Sequence, residues 1–191
     1  MNKQPWPERY VEQRAPSAIN LADYTRILTA ANDERPLQEY LAAVPAFFRS
    51  LLPACTDFWC FDRPSLGGEL LPDFLLCYRN SRGFNWAYVE LESPPQTPLL
   101  KSGRPSAKLH EAIAQITDWR DWLRDNISYA REHLRLRQID AEALGFVVIG
   151  RRECFDPRYA LKYRSLSSNS LNVMSYDRLM EAGGHDTVGG G

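Results

Sequence analysis

The sequence predicts an α/β fold in which helices flank a mixed central β-sheet. Three short runs of β-favouring residues, at 58–61, 73–78 and 84–91, follow one another with turns between them and predict an antiparallel meander. The segment 106–131 carries apolar residues at helical spacing and predicts a long helix that packs through one face. The run 145–150 is continuously apolar, which is typical of a strand buried on both faces of such a sheet.

Shorter elements complete the predicted order. A helix is predicted to begin at 32–36, where an Asx-type cap precedes a proline in the first turn, and to continue through Phe48 despite Pro45. After the apolar strand, the sequence indicates a small helix, a last strand and a closing helical turn, at 156–163, 171–176 and 177–182.

Composition divides the chain into three parts. Residues 1–31 contain several prolines and scattered charges, and are expected to form an arm followed by a short helix at 21–31. Residues 32–182 hold the predicted core elements and are expected to form one domain. Residues 183–191 are rich in glycine, so we expect a disordered tail.

The bulk composition is that of an ordinary globular protein. The 191 residues are 44% hydrophobic and 25% charged, with a formal net charge of −1. No apolar run approaches the roughly 18 residues that a membrane span needs, and the N-terminus lacks the apolar core of a signal peptide. We therefore expect a cytoplasmic protein without membrane contact. The near-zero charge argues against a wholly basic nucleic-acid-binding surface, although it permits a local basic groove.

Acidic residues stand at the ends of two neighbouring predicted strands. Side chains alternate between the faces of a strand, so Tyr88, Glu90 and Glu92 share one face, with the two carboxylates about 7 Å apart. Asp73 begins the preceding predicted strand, and an antiparallel arrangement brings it toward Glu90. Carboxylates that converge in this way can hold a hard divalent cation such as Mg²⁺. The alternative is structural, because Asp73 can cap its strand and Glu90 can belong to a solvated face.

Two arginines follow the apolar strand on the side where a site at the strand ends would lie. Guanidinium groups bind phosphate oxygens through paired hydrogen bonds, so Arg151 or Arg152 is expected to contact a phosphate. The arginines of the long helix alternate with acidic residues instead, which is typical of a salt-bridged, solvent-exposed face. Arg151 and Arg152 therefore indicate a phosphate-containing ligand.

The order of these elements and motifs resembles the PD-(D/E)XK nuclease superfamily, whose restriction-endonuclease-like core has an αβββαβ order. The closer resemblance is to the nuclease domain of Shedu anti-phage defence proteins, and it covers about residues 34–179. The matching segments are Glu34 with 37–41, then 71–74, 89–92, 114–116 with Trp119, and 148–152. This ordered set is more specific than the Pro72-Asp73 motif alone, because short acidic patterns are common.

The resemblance implies a metal-dependent nuclease that hydrolyses phosphodiester bonds, with DNA as the expected substrate. Asp73 and Glu90 match the acids that hold Mg²⁺ or Mn²⁺ in that family, and the carbonyl oxygen of Leu91 would be a third ligand. Glu34 matches a first-helix acid that sometimes joins the site, and Gln115 would line the site and position water or phosphate. The resemblance also implies a homo-oligomer.

One position departs from the family pattern. Glu92 stands where the family has a lysine that polarises the attacking water. Activity can survive through a second metal ion, through Lys108, which shares a helix face with Gln115, or through Lys101 on the preceding loop. Otherwise the domain is catalytically inactive and serves nucleic-acid binding or protein assembly, and a protein–protein adaptor is a third hypothesis. The sequence leaves these alternatives open.

Overall fold

The computed structural model describes residues 5–12, 14–67, 70–167 and 170–181. Six strands form one sheet whose spatial order, β1 to β6, is also the order along the chain. The strands are β1 (Tyr10–Val11), β2 (Asp57–Asp62), β3 (Phe74–Asn80), β4 (Gly83–Leu91), β5 (Leu144–Val148) and β6 (Leu171–Met174). The helices are α1 (Ala18–Ala30), α2 (Arg35–Ala43), α3 (Ala107–Glu132), α4 (Ala160–Leu166) and α5 (Asp177–Glu181).

The sheet is mixed, as predicted. Strands β1 to β4 pair antiparallel, whereas β4 with β5 and β5 with β6 pair parallel. Parallel neighbours need crossover connections, which α3 supplies between β4 and β5 and α4 supplies between β5 and β6. Apolar residues of α1, α2 and α5 pack on one face of the sheet, and those of α3 pack on the other. The predicted α/β class, with a mixed sheet between helices, is confirmed.

Each face of the sheet has its own apolar core, because successive side chains of a strand point in opposite directions. Phe74 and Val89 belong to the core beneath α1, α2 and α5. Leu75 and Tyr88 belong to the core beneath α3. The last six residues of β4 are all buried, which explains why its sequence combines a continuous apolar run with acids at the end.

The register between β3 and β4 sets the position of the two acids. Phe74 pairs with Val89 at one end of this antiparallel ladder. One step beyond that pair, Asp73 lies opposite Glu90. Strand alternation directs Glu90 toward α3, whereas Asp73 precedes β3 and its side chain contacts Gln38 of α2. The start of β3 and the end of β4 therefore meet at the same edge of the sheet.

Part of the predicted arm belongs to the sheet. Tyr10–Val11 form β1, which pairs antiparallel with β2. The ring of Trp6 is buried and lies 5.8 Å from the ring of Trp59 and 5.5 Å from that of Trp86. A strand of two residues carries too little pattern for the sequence to predict it.

The helix predicted to reach Phe48 ends earlier, at Ala43. Pro45 has no amide hydrogen to continue the helical ladder, and its ring would collide with the carbonyl group one turn back. The chain instead forms a 3₁₀ turn over Pro45–Leu51.

Helix α1 begins at Ala18, earlier than the predicted start at residue 21. Ser17 caps it, because the Ser17 hydroxyl group accepts a hydrogen bond from the Asn20 amide. The tail predicted to be disordered, 183–191, lies outside the described residues. Across the described ranges, no helix combines the length and the apolar character that a membrane span requires.

Candidate active site

Asp73 is held in one orientation by two hydrogen bonds. Its Oδ2 accepts from the Leu91 amide at 2.8 Å, and its Oδ1 accepts from Nε2 of Gln38 at 2.9 Å. Burial raises the pKa of Asp73 from 3.8 to about 6, the Leu91 hydrogen bond opposes this rise, and repulsion from Glu34 adds to it. The carboxylate is therefore fixed in position while its charged form is disfavoured.

Glu90 lies opposite Asp73 and is 7% exposed. Its pKa is raised from 4.5 to about 9, first by burial and then by repulsion from Asp73 and Glu92, against hydrogen bonds with the Asp73 backbone and the Gln115 side chain. Its Oε2 is buried and has no hydrogen-bond partner among the described residues. A buried acceptor without a donor is unfavourable, so this oxygen can gain from an incoming ligand.

Glu92 follows β4 and is as deeply buried as Glu90. Burial raises its pKa from 4.5 to about 7, the ammonium group of Lys108 opposes the rise, and repulsion from Glu34 and Glu111 adds to it. Lys108 lies in the first turn of α3 and is exposed, with its Nζ 3.0 Å from Oε2 of Glu111. The lysine thus places a positive charge at the rim of the acidic cluster, which we define as Glu34, Asp73, Glu90 and Glu92.

The start of α2 contributes an acid and an amide to the cluster. Glu34 immediately precedes α2, and its charge raises the pKa of both Asp73 and Glu92. Gln38, one turn later, is 8% exposed and donates the hydrogen bond to Asp73. The sequence analysis does not predict Gln38 as a site residue. Its spacing of four from Glu34, which places both side chains on one helix face, is the signal that could have identified it.

Tyr176 belongs to the core beneath α1, α2 and α5 and lies near the acidic cluster. It is fully buried, and its hydroxyl group has no hydrogen-bond partner among the residues that the structure describes. Burial raises its pKa most, and the nearby Tyr24, Asp73, Glu34 and Glu92 raise it further. No sequence pattern could have identified this residue, because its place depends on how the chain turns after β6.

The other predicted basic residues do not join the cluster. Lys101 lies in an exposed turn, and no ion pair within the described ranges joins its ammonium group to a cluster carboxylate. Arg151 binds Asp177 through Nε and Nη2 at 3.1 to 3.3 Å, and Arg152 forms an ion pair with Glu181. Both guanidinium groups are thus engaged with α5, and the phosphate contact predicted for them stays a prediction that requires these ion pairs to open.

The donor chemistry of the cluster fits a hard divalent cation. Carboxylate oxygens are the ligands that Mg²⁺ and Mn²⁺ take, and the unpartnered Oε2 of Glu90 is one such oxygen. Over the described part of the chain, no three acidic, histidine or cysteine side chains already have the spacing of a preformed metal centre. Each Asp73 oxygen accepts one hydrogen bond and keeps a further lone pair for a cation, so its present position is compatible with metal binding, which stays a prediction.

Comparison with known proteins concerns this same part of the chain. The family model described as Shedu protein SduA, C-terminal, matches residues 31–180, a span that contains every residue of the acidic cluster. A comparison with the curated proteins finds no match.

Proposed function

Because the chain belongs to the Shedu protein SduA C-terminal family, we propose that it is a metal-dependent endonuclease that cuts DNA in defence against phage. The cofactor would be Mg²⁺ or Mn²⁺, and the reaction would be hydrolysis of a phosphodiester bond by water. Homo-oligomer formation, which the family resemblance implies, is part of the same proposal.

The observation that carries the proposal is the facing pair Asp73 and Glu90. Two carboxylates at the adjoining ends of antiparallel strands are largely withdrawn from water, and Asp73 raises the pKa of both Glu90 and Glu92. Burial of neighbouring carboxylates opposes their ionisation, because each charged group loses hydration and is repelled by the charge beside it. Strongly shifted carboxylates collected at one edge of a sheet are typical of a functional site.

In this proposal each residue has a separate task. Asp73 and Glu90 hold the cation, with Glu34 at the edge of the cluster and the Leu91 carbonyl as a further ligand. Gln38 keeps the Asp73 carboxylate oriented, and Gln115 does the same for Glu90. Bound Mg²⁺ or Mn²⁺ would polarise the scissile phosphate and lower the pKa of a coordinated water molecule.

Glu92 and Lys108 take the place of the family lysine in this proposal. A carboxyl group with a pKa of about 7 exchanges its proton near neutral pH, which suits a group that accepts a proton from the attacking water. Lys108 lowers that pKa and supplies positive charge beside the developing negative charge. The presence of Glu92 in place of the family lysine also favours a second candidate function, a nuclease-fold module that binds nucleic acid without cutting it.

Cleavage of plasmid and linear DNA tests the proposal. Wild-type protein is incubated with supercoiled and linear DNA in Mn²⁺, Mg²⁺ or EDTA, beside the isosteric variant Glu90→Gln. We expect nicked or linear products with the metals alone, and a rate lower by about 100-fold or more in the variant, because a ligand charge is lost.

The matched control is Glu39→Gln, an exposed glutamate on α2 outside the cluster. It should cut at the wild-type rate. Equal cutting by Glu90→Gln would move the activity away from this cluster. DNA binding without cleavage in either metal would favour the non-cutting module.

A further inference from the structure

The chain between Glu92 of the acidic cluster and α3 forms a hydrogen-bonded hairpin. Over 98–106, which we call the Lys101 hairpin, the Leu100 amide donates to the Arg104 carbonyl at 2.8 Å, and the Ser106 amide donates to the Pro98 carbonyl at 2.9 Å. Leu99 and Pro105 form a β-bridge between these two hydrogen bonds. The hairpin therefore has its own ladder and is not a loose connection.

Tyr159 fastens the tip of the Lys101 hairpin to the body of the protein. Its hydroxyl group donates a hydrogen bond to the Lys101 carbonyl. Gly103 is buried with a φ of +75°, and a Cβ atom there would stand 2.9 Å from the Tyr159 ring. A backbone held in this way presents the side chains of Lys101 and Arg104 from fixed positions, which reduces the entropy lost when they bind a ligand.

These two side chains carry positive charge on the segment that follows Glu92. The segment 93–106 contains no acidic residue. Lys101 and Arg104 are exposed, and within the described ranges neither forms an ion pair. The following basic groups each form an ion pair with a carboxylate: Lys108 with Glu111, Arg151 with Asp177, Arg152 with Glu181 and Arg158 with Asp156.

The position of the hairpin relates it to the site. Ser106, at its base, is the N-cap of α3, and Lys108 in the next turn acts on the charge of Glu92. A polyanion that approaches four carboxylates is repelled, so a substrate with phosphates needs positive charge at the rim. Exposed cations on a held backbone nine and twelve residues after Glu92, as Lys101 and Arg104 are, are suited to the phosphates that flank a reacting bond.

We propose that the Lys101 hairpin binds the sugar–phosphate backbone of duplex DNA, with Lys101 and Arg104 each contacting one phosphate. The inference rests on the proposed function and deepens it, because it names the surface that holds the substrate. It gives Lys101 a substrate-binding role in place of the catalytic role that the sequence had suggested. Phosphate contacts of this kind position DNA without reading its sequence.

The salt dependence of DNA binding tests the inference. Full-length Lys101→Ala/Arg104→Ala protein and wild type are titrated in EDTA, so that no cutting occurs, with a labelled DNA duplex of about 30 base pairs at about 50 to 200 mM salt. Loss of two phosphate contacts should reduce the slope of log affinity against log salt by about 1.8 and weaken binding about tenfold or more.

Two further variants separate charge at the hairpin from total charge. Arg82→Ala/Arg137→Ala removes two positive charges near the start of β4. The rise of the strand separates that end from Glu90 by about 23 Å, so the slope should not change. The charge-preserving Lys101→Arg/Arg104→Lys should retain wild-type binding. An RNA duplex is measured in parallel.

Several results would overturn the inference. The wild type could fail to bind duplex DNA at the lowest salt, or the hairpin variant could show the wild-type slope. The Arg82/Arg137 variant could lose as much affinity as the hairpin variant. The hairpin variant could also lose affinity for the RNA duplex but not for the DNA duplex. Cleavage separates this inference from the proposed function. Hairpin-dependent binding without metal-dependent cutting would reject only the nuclease, and cutting with hairpin-independent binding would reject only the hairpin.

Discussion

At the scale of single residues, the two facing carboxylates have unequal freedom. Both oxygens of Asp73 accept hydrogen bonds, whereas Oε2 of Glu90 is buried and no residue that the structure describes donates to it. Asp73 is therefore the fixed member of the pair, and Glu90 is the member whose environment changes most when a cation or a proton arrives. Gln38 has a positioning role, because its side-chain amide donates one of the two hydrogen bonds that orient Asp73.

Lys108 provides a prediction at this scale. If it replaces the family lysine, Lys108→Met should lower the rate of DNA cleavage at saturating substrate by about 100-fold. Its ammonium group lowers the pKa of Glu92, so its loss should raise that pKa and shift the rising limb of the pH–rate profile to higher pH. Single-turnover cleavage measured from pH 6 to pH 9 gives both quantities.

The matched control for this prediction is Lys162→Met, which removes an exposed lysine from α4. It should leave the rate and the profile unchanged. An unaltered rate and profile in Lys108→Met would make Lys108 an ordinary surface lysine, paired with Glu111 for solubility and little else.

At the scale of elements, the sequence predicted what local pattern controls. Alternation in β4 and turn residues around β3 were enough to bring Asp73 and Glu90 to one edge, and apolar spacing was enough for α3. Gln38, Tyr176 and the Lys101 hairpin were not recognised, because their positions depend on contacts between elements far apart in the chain. The strand β1 carries too little pattern in its two residues, and its partner β2 begins 46 residues after Val11.

The N-terminal segment provides the prediction for this scale. Trp6 is 8% exposed and packs edge-to-face against four aromatic rings, those of Trp59, Phe61, Phe84 and Trp86. Trp6→Ala should lower the free energy of unfolding by about 3 to 5 kcal/mol, because it removes a large buried ring and leaves a cavity. Urea denaturation followed by circular dichroism measures the change.

Ile19→Ala is the control, because Ile19 is 75% exposed on α1. Its effect should stay within about 0.5 kcal/mol. A similarly small effect of Trp6→Ala would mean that the segment before α1 is an arm that does not contribute to the core, in line with the predicted arm.

At the scale of the whole molecule, the acidic cluster links folding to pH. In the unfolded chain the pKa is 3.8 for an aspartate and 4.5 for a glutamate, whereas folding raises the pKa of Asp73 to about 6, that of Glu92 to about 7 and that of Glu90 to about 9. Between these limits the folded state binds more protons than the unfolded state, so stability falls as pH rises. The metal-free fold should therefore be most stable in mild acid and should weaken steadily through pH 9.

A divalent cation should reverse this trend, which supplies the last prediction. Metal binding needs the carboxylates without their protons, so its affinity rises over the pH range in which the metal-free fold weakens. Excess Mn²⁺ should raise the thermal unfolding midpoint more at pH 8 than at pH 6. The stabilisation should be about 2.7 kcal/mol where the free metal is 100 times its Kd. Differential scanning fluorimetry of the full chain, with and without Mn²⁺, measures the shift without depending on activity.

The variant Asp73→Asn/Glu90→Gln separates the cluster from other acids that could bind Mn²⁺. Its midpoint should depend less on pH than that of wild type, since two of the three shifted groups no longer titrate, and Mn²⁺ should not move it. A wild-type midpoint that Mn²⁺ fails to raise at either pH would exclude these carboxylates as a metal site. The cluster carboxyl groups would then bind protons but no metal ion, and the domain would act by binding nucleic acid rather than by cutting it.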